Sequence, residues 1–246
     1  MVELLLGLIK RTLNKILELD YKYSILPNGG TLAVGLSGGK DSLITLWALN
    51  EVLRHRKHKY KLCAVLVDQG FPGFSYDKIK EYLFLNDIPY IEKKSFIYNS
   101  LSKADSPCAI CSHLRRGALV DGAKIMGATH LALGHHLDDL LEGVIMTIAM
   151  NGRPNVLLPI KYLSRRDIYL IRPLLLVEEE HIKTLSKKIQ GINPIESECP
   201  YSINSERIKI KKWLYQGYNN WHVMHQHMAS WARLLLEKEM ENQRNI

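Results

Sequence analysis

The chain has 246 residues, 46% hydrophobic and 24% charged, with a formal net charge of +8. That length can bury a large core, as one α/β domain or a domain with a small appendage. No apolar run approaches the roughly 20 residues that span a bilayer, and four cysteines are too few for a disulfide-built fold of this size. The positive balance favours a polyanionic partner.

At the N-terminus, Leu4, Leu5, Leu8, Ile9, Leu13, Ile16 and Leu17 recur at helical spacing. Glu3 stands where a secretory signal would carry positive charge, and no small-residue cleavage site follows. An amphipathic helix over residues 1–24, packed on the body of a cytoplasmic protein, is therefore expected. Residues 31–36 are apolar and read as a strand, and 43–53 read as a helix. Between them lies Ser37-Gly38-Gly39-Lys40-Asp41-Ser42. Adjacent glycines let main chain approach an anion closely, and the first amides of the following helix point at it with the positive dipole end behind them. Ser37 and Ser42 add hydroxyls and Lys40 a mobile cation. The run is an anion cradle suited to a nucleotide. It is not a Walker A loop, which is longer and places Lys beside Ser or Thr.

Strand and helix then alternate. Residues 62–67 read as a strand ending at Asp68-Gln69-Gly70, 76–85 as a helix, 90–92 as a strand and 111–126 as a helix. Residues 130–133 read as a strand, 138–151 as a helix, 169–171 as a strand, and 178–189 as a helix opened by acidic residues. From 203 onward the pattern is helical only. This order implies an α/β fold: a twisted parallel sheet of about five strands with helices on both faces. A body over 25–200 and a C-terminal helical appendage over 201–246 follow. Ligands of such sheets sit at the carboxyl ends of strands, where the glycine loop lies.

Cys108-Ala109-Ile110-Cys111 is a C-x-x-C pair at a helix foot, and Cys199 follows much later. Two plus one cysteines do not close a four-cysteine zinc site. They could ligate three irons of a 4Fe–4S cluster and leave the fourth open; by spacing alone a redox dithiol or zinc stays open. Cys63, inside a strand, reads as a small core residue. Gly134-His135-His136-Leu137-Asp138-Asp139 opens the helix after the fourth strand and shares the sheet edge with the glycine loop. Gly134 would permit close approach of a ligand, His135 could donate to or accept from it, and Asp138 and Asp139 could hold magnesium or a proton. The ordinary alternative is a helix cap with an acidic first turn. Arg115 and Arg116, one turn past the C-x-x-C, could meet phosphate or RNA. Basic runs at 54–61 and at Lys209, Lys211 and Lys212 could supply salt-dependent phosphate affinity. The His- and Trp-bearing tail at 218–227 reads as a packing or dimer surface.

Together SGGKDS, SPCAICSHLRRG, GATHLALGHHLDD, IRPL before a Glu-rich helix start, and a late single Cys resemble the PP-loop tRNA thiolase superfamily, most of all the 2-thiocytidine tRNA synthetase group. The likeness spans roughly residues 25–215. It implies a PP-loop ATP-pyrophosphatase (HUP-like) fold and an ATP- and Mg2+-dependent, AMP-forming transferase carrying a three-cysteine 4Fe–4S cluster. Such an enzyme adenylates C2 of a pyrimidine in tRNA and replaces its oxygen with sulfur. By the resemblance Ser37, Gly38, Gly39, Lys40, Asp41 and Ser42 hold the ATP phosphates, and Asp68, Gly134 and His135 lie near the adenosine, with Asp139 beside the cofactor. Cys108, Cys111 and Cys199 bind the cluster, and Asp138, Asp41 and Lys40 serve catalysis, Asp138 as an activating group. From their charge, Arg115, Arg116, Lys209, Lys211 and Lys212 are expected to face RNA. The implied partners are tRNA, a sulfide or persulfide sulfur donor, and a second copy of the chain if the tail is a dimer surface.

The chain lacks the terminal zinc-binding cysteines usual in uridine-type thiolases. It also lacks the second late cysteine frequent in the cytidine type. Cytidine is the favoured target, with uridine open. Two other readings remain at this level: a ligase of the same fold with structural zinc, and a non-catalytic tRNA-binding module.

Overall fold

A computed structural model describes residues 2–55, 59–72, 75–102, 104–195, 199–201, 206–216 and 221–244. Glu198, residues 56–58 of the first basic run and 218–220 of the tail lie outside them. The elements in chain order are α1 (Val2–Tyr23), β1 (Thr31–Leu36), α2 (Lys40–His55), β2 (Lys61–Asp68), α3 (Asp77–Leu85), β3 (Tyr90–Lys94), α4 (Ile97–Leu101) and α5 (Pro107–Ile125). They continue with β4 (His130–Ala132), α6 (Leu137–Asn151), β5 (Ile160–Leu163), β6 (Ile168–Ile171), α7 (Glu179–Lys188), α8 (Glu206–Gln216) and α9 (Trp221–Arg244).

One six-stranded sheet has the order β3-β2-β1-β4-β6-β5. All neighbours are parallel except β5, which pairs antiparallel with β6, Ile160 opposite Ile171. The α/β class expected from the alternation holds, with one more strand than the five expected. That extra strand is a hairpin edge, Ile160-Lys161-Tyr162-Leu163, whose two central residues are exposed. A four-residue edge buried on neither face carries little apolar periodicity.

Both faces of the central strands are covered, as parallel strands require. Leu32, Val34 and Leu36 of β1 and Leu62, Ala64 and Leu66 of β2 join one apolar cluster. The alternate residues Ala33, Cys63, Val65 and Val67 join the other, the period of two of an extended chain. Cys63 is core, as expected, and burial pushes its thiol up to about 11. On the first face α2 lies between the sheet and α1 and α7. Leu8 and Ile16 of α1 are buried there and Leu5, Ile9, Leu13 and Leu17 pack partly against the same cluster, so most of the N-terminal apolar stripe is a packing face, while Leu4 is exposed. On the second face α5 approaches β2 so closely that a Cβ on Gly122 would stand 2.5 Å from Val65 Cγ1. The C-terminal helices α8 and α9 pack on α6. Ala229, Ala232, Leu236 and Met240 of α9 belong to the same apolar cluster as β1 and α2.

The chain runs from β1 outward through β2 to β3, then returns to β4 on the other side of β1. The topological switch therefore falls between β1 and β4, where the loops after them part to form a crevice.

Candidate active site

The loop after β1 is shaped by its own hydroxyls. Ser42 Oγ donates to the Gly39 carbonyl at 2.9 Å, Ser37 N–H donates to Ser42 Oγ at 3.2 Å, and Gly39 N–H donates to Ser37 Oγ at 3.4 Å. Gly38 takes φ of +86°, a conformation other residues rarely adopt. The turn then enters α2, leaving the first-turn amides without intrahelical acceptors and aimed at the crevice.

Gly134 lets two stretches of main chain meet. A Cβ there would lie 2.8 Å from the Asp41 carbonyl carbon and 2.9 Å from the Ser42 nitrogen. Main chain of the β4 loop is thus pressed onto main chain of the glycine loop, and the missing side chain makes this packing possible. Beside it, His135 Nδ1 is buried without a hydrogen-bond partner. Burial, then the Arg172 guanidinium, pushes its pKa down to about 4, so the ring is neutral near pH 7 and offers an uncharged polar edge. Arg172 is itself pushed down to about 10 by burial and Arg116, and donates to the Leu158 carbonyl.

Asp138 was expected as an activating group, but the structure commits its carboxylate elsewhere. Oδ2 accepts from Glu179 N–H at 2.7 Å, capping α7, while Oδ1 contacts His225 Nε2 at 2.9 Å and accepts from Tyr215 O–H at 3.1 Å. Burial alone would raise its pKa; the His225 ring and the Glu179 amide outweigh this and hold it well below the usual carboxylate range. His225 is correspondingly raised by the bond to Asp138, against its burial. Asp139 is likewise occupied, by His136 N–H in a capping box and by Arg207 Nη1 at 2.9 Å. Neither is an open magnesium ligand. Asp41 is the freer carboxylate: Oδ1 lies 3.0 Å from Lys40 Nζ and 3.8 Å from His136 Nε2, yet makes no hydrogen bond of good geometry.

Lys40 bridges the two regions, with Nζ 3.1 Å from Glu179 Oε1. Burial opposes its charge, but Asp41 and Glu179 prevail and its pKa lies above the ordinary value. Lys211, expected on an RNA-facing surface, instead turns inward to Glu179 and stands 3.7 Å from Glu142 Oε1. A cavity of about 520 Å3 opens here, lined by Lys40, Asp138, Glu179, Lys211, Tyr215 and His225. Glu142 went unnoticed in the sequence. It is 4% exposed, and burial pushes its pKa up to about 7 despite Lys211 and Arg207. Its place one turn after Asp138, on the buried side of α6, was the available signal.

The three cysteines share a neighbourhood. Cys108 Sγ donates to the Tyr201 carbonyl at 3.5 Å, and Cys111 Sγ donates to Gln69 Oε1 at 3.1 Å. Burial raises the Cys111 pKa; Arg115, one turn on, opposes this, and the Cys199 and Cys108 thiols add to it. Among the described residues no three His, Cys, Asp or Glu side chains are gathered to hold a metal ion. Asp68 lies at the end of β2, its Oδ1 receiving Gly70 N–H at 2.9 Å. Ile195 N–H donates to the Gly38 carbonyl at 2.9 Å, tying the segment that leads to Cys199 onto the glycine loop.

The PP-loop domain family matches residues 9–216. The chain belongs to this family. The tRNA-cytidine(32) 2-sulfurtransferase of Syntrophotalea carbinolica is 33% identical over 216 residues, 84% of this chain and 83% of that protein. The tRNA-cytidine(32) 2-sulfurtransferase of Geotalea daltonii is 34% identical over 185 residues, 74% of this chain and 73% of its own. Among solved structures, the U34-tRNA thiolase NcsA from Methanococcus maripaludis, with its 4Fe-4S cluster, is similar with a TM-score of 0.73 at 24% identity. That likeness covers 94% of this chain and 80% of the other, and is one of fold. The glycine loop is therefore a PP-loop.

Of the residues expected to face RNA, Arg116 and Lys212 are exposed, and Lys209 is exposed and pairs with Glu206 at 2.6 Å. Arg115 is half-buried beside the thiols. Among the described residues no helix is long and apolar enough to cross a membrane.

Proposed function

We propose that the chain is an ATP-dependent tRNA sulfurtransferase that adenylates the C2 oxygen of a cytidine in tRNA and replaces that oxygen with sulfur. The observation that carries this reading is one segment with two attachments. Ile195 is bonded to the PP-loop at Gly38, and Tyr201, shortly after, accepts from Cys108. Phosphate cradle and thiols thereby share one edge of the sheet. The curated relatives' names support cytidine 32 as the target.

A pyrimidine carbonyl oxygen leaves poorly, and attack on the α-phosphorus of ATP converts it to a good leaving group, AMP. The first-turn amides of α2, the Ser37 and Ser42 hydroxyls and Lys40 hold the phosphates, with Asp41 as the carboxylate suited to Mg2+. Neutral His135 and Asp68 border the adenosine. Cys108, Cys111 and Cys199 would hold a 4Fe–4S cluster. Each iron of a cluster takes its own thiolate, so such ligands are neighbours without converging on one point, which fits the three thiols better than a single ion does. When bound, the cluster supplies a sulfur nucleophile at neutral pH. Arg116, Lys209 and Lys212 face the tRNA phosphates, and the sulfur comes in the cytoplasm as sulfide, either free or released from a persulfide carrier by a thiol reductant.

The test is anaerobic incubation of the iron-loaded protein with ATP, sulfide and unmodified tRNA, followed by nucleoside mass spectrometry. The expected result is AMP release with 2-thiocytidine, lost in Cys108→Ala, Cys111→Ala and Cys199→Ala. Thiolation that survives all three replacements overturns the reading. So does a colourless, zinc-containing protein, which would favour the ligase.

A further inference from the structure

Gln69, in the turn after β2, has no task in the chemistry above, yet its main chain is firmly held. Its carbonyl accepts from Tyr98 N–H at 2.9 Å, and the Asp68 carbonyl accepts from Ser95 N–H at 2.9 Å and from Ser95 Oγ at 2.8 Å. Gly70 closes the turn at φ of +78°, where a Cβ would come within 3.3 Å of the Ser95 carbonyl oxygen. From this fixed base the Gln69 side chain reaches Cys111, whose Sγ–H donates to Oε1 at 3.1 Å.

The two thiols of the C-x-x-C thus have unlike partners. Cys108 donates to a main-chain carbonyl, which can only accept. Once that sulfur is a thiolate there is no proton to share, and the contact is lost. Gln69 carries both an acceptor and two donors on one amide. A half-turn about its last torsion, which is soft and two-fold, exchanges Oε1 for Nε2 without moving the main chain.

We propose that Gln69 is a positioning residue for Cys111: when Cys111 binds iron as a thiolate, the Gln69 amide turns over and donates an N–H to its sulfur. This rests on the iron–sulfur reading given under Proposed function. A hydrogen bond to a ligating sulfur withdraws charge from it, raises the reduction potential of the group it holds and slows its loss. Arg115 contributes positive charge on the same side but follows Cys111 by one helical turn, so it acts through space.

The full chain is loaded anaerobically with iron and sulfide and compared with Gln69→Leu and Gln69→Glu. The readouts are the reduction midpoint and the rate at which a chelator bleaches the visible absorption. The Leu variant is expected to have a more negative midpoint and to bleach about tenfold faster. The Glu variant is nearly isosteric but can only accept, so it should shift at least as far in the same direction. If Glu restores the wild-type midpoint and rate, packing is the cause and the proposal falls. If both variants match a wild-type protein that does load, the proposal falls and the iron–sulfur reading stands. If the wild-type protein takes up no iron–sulfur chromophore, both are overturned.

Discussion

The PP-loop and the Asp138 cluster lie on either side of Lys40 and are held by different means. The loop is contiguous in sequence and made of main chain: Gly38 supplies the turn, the serine hydroxyls brace it, and Gly134 lets a second loop rest on it. The cluster is gathered around one side chain, the Asp138 carboxylate of α6, which meets the Glu179 amide at the start of α7, the Tyr215 hydroxyl of α8 and the His225 ring of α9. A main-chain site is fixed by the strand and helix that flank it, whereas a side-chain cluster exists only when distant helices have docked.

The most severe way to break the contrast is Asp138→Ala. It takes their common acceptor from the buried His225 ring and from the part-buried Tyr215 hydroxyl and Glu179 amide. Removing one member of a buried pair costs about 3–5 kcal/mol, so a large fall in melting temperature and faster proteolysis within α8–α9 are expected. A group that acted only as a chemical base would instead lose turnover with unchanged stability. Denaturant unfolding followed by circular dichroism separates the two.

Gly134→Ala tests the other side. The added methyl meets the Asp41 and Ser42 main chain, and atoms of a helix start cannot rotate away as a side-chain tip can. Displacing the cradle by a few tenths of an ångström should cut tRNA-dependent AMP release about tenfold, toward the roughly 100-fold that a full ångström costs. Global stability should change much less than in Asp138→Ala. Equal AMP release from both proteins would show that the close approach is not needed.

This contrast also explains what could be read from the chain. The strand–loop–helix unit at 31–42 announced itself because all its parts are local: an apolar run, two glycines and a helix start. The order of strands and helices was legible for the same reason, and the hairpin edge β5 was missed because half-exposed short strands carry no periodicity. The roles of Asp138, Lys211 and His225 were not legible. They depend on α8 and α9 folding back on α6, which no residue spacing within those segments encodes. Gly134 marks a close approach of main chain in the sequence, and the structure puts the Asp41 and Ser42 main chain against it.

Glu142 sharpens the cluster's side of the comparison through pH. Its carboxyl titrates near 4.5 when unfolded and at about 7 when folded. Between those values the native chain holds a proton that the unfolded chain has released, so stability falls as pH rises through that window and levels off above it. At about 1.4 kcal/mol per unit the loss across this window is on the order of 3 kcal/mol. Glu142→Gln should flatten this part of the curve. A slope unchanged by the substitution would place the proton elsewhere.

The smallest effect separates two neighbours in sequence. Lys211 is turned into the cluster against Glu179, while Lys212 is exposed on α8. If tRNA phosphates meet this helix, Lys212→Ala should weaken tRNA binding about equally for all tRNAs and lower the salt-dependence slope by about 1. Its melting temperature should not change. Lys211→Ala should do the reverse, costing stability through Glu179 and Glu142 and leaving the salt slope nearly unaltered. Filter binding across a salt series, run beside thermal melts, reads both. Should Lys211 carry the salt slope instead, the ion pair with Glu179 would have to open when tRNA binds, and the cluster would be part of the RNA surface.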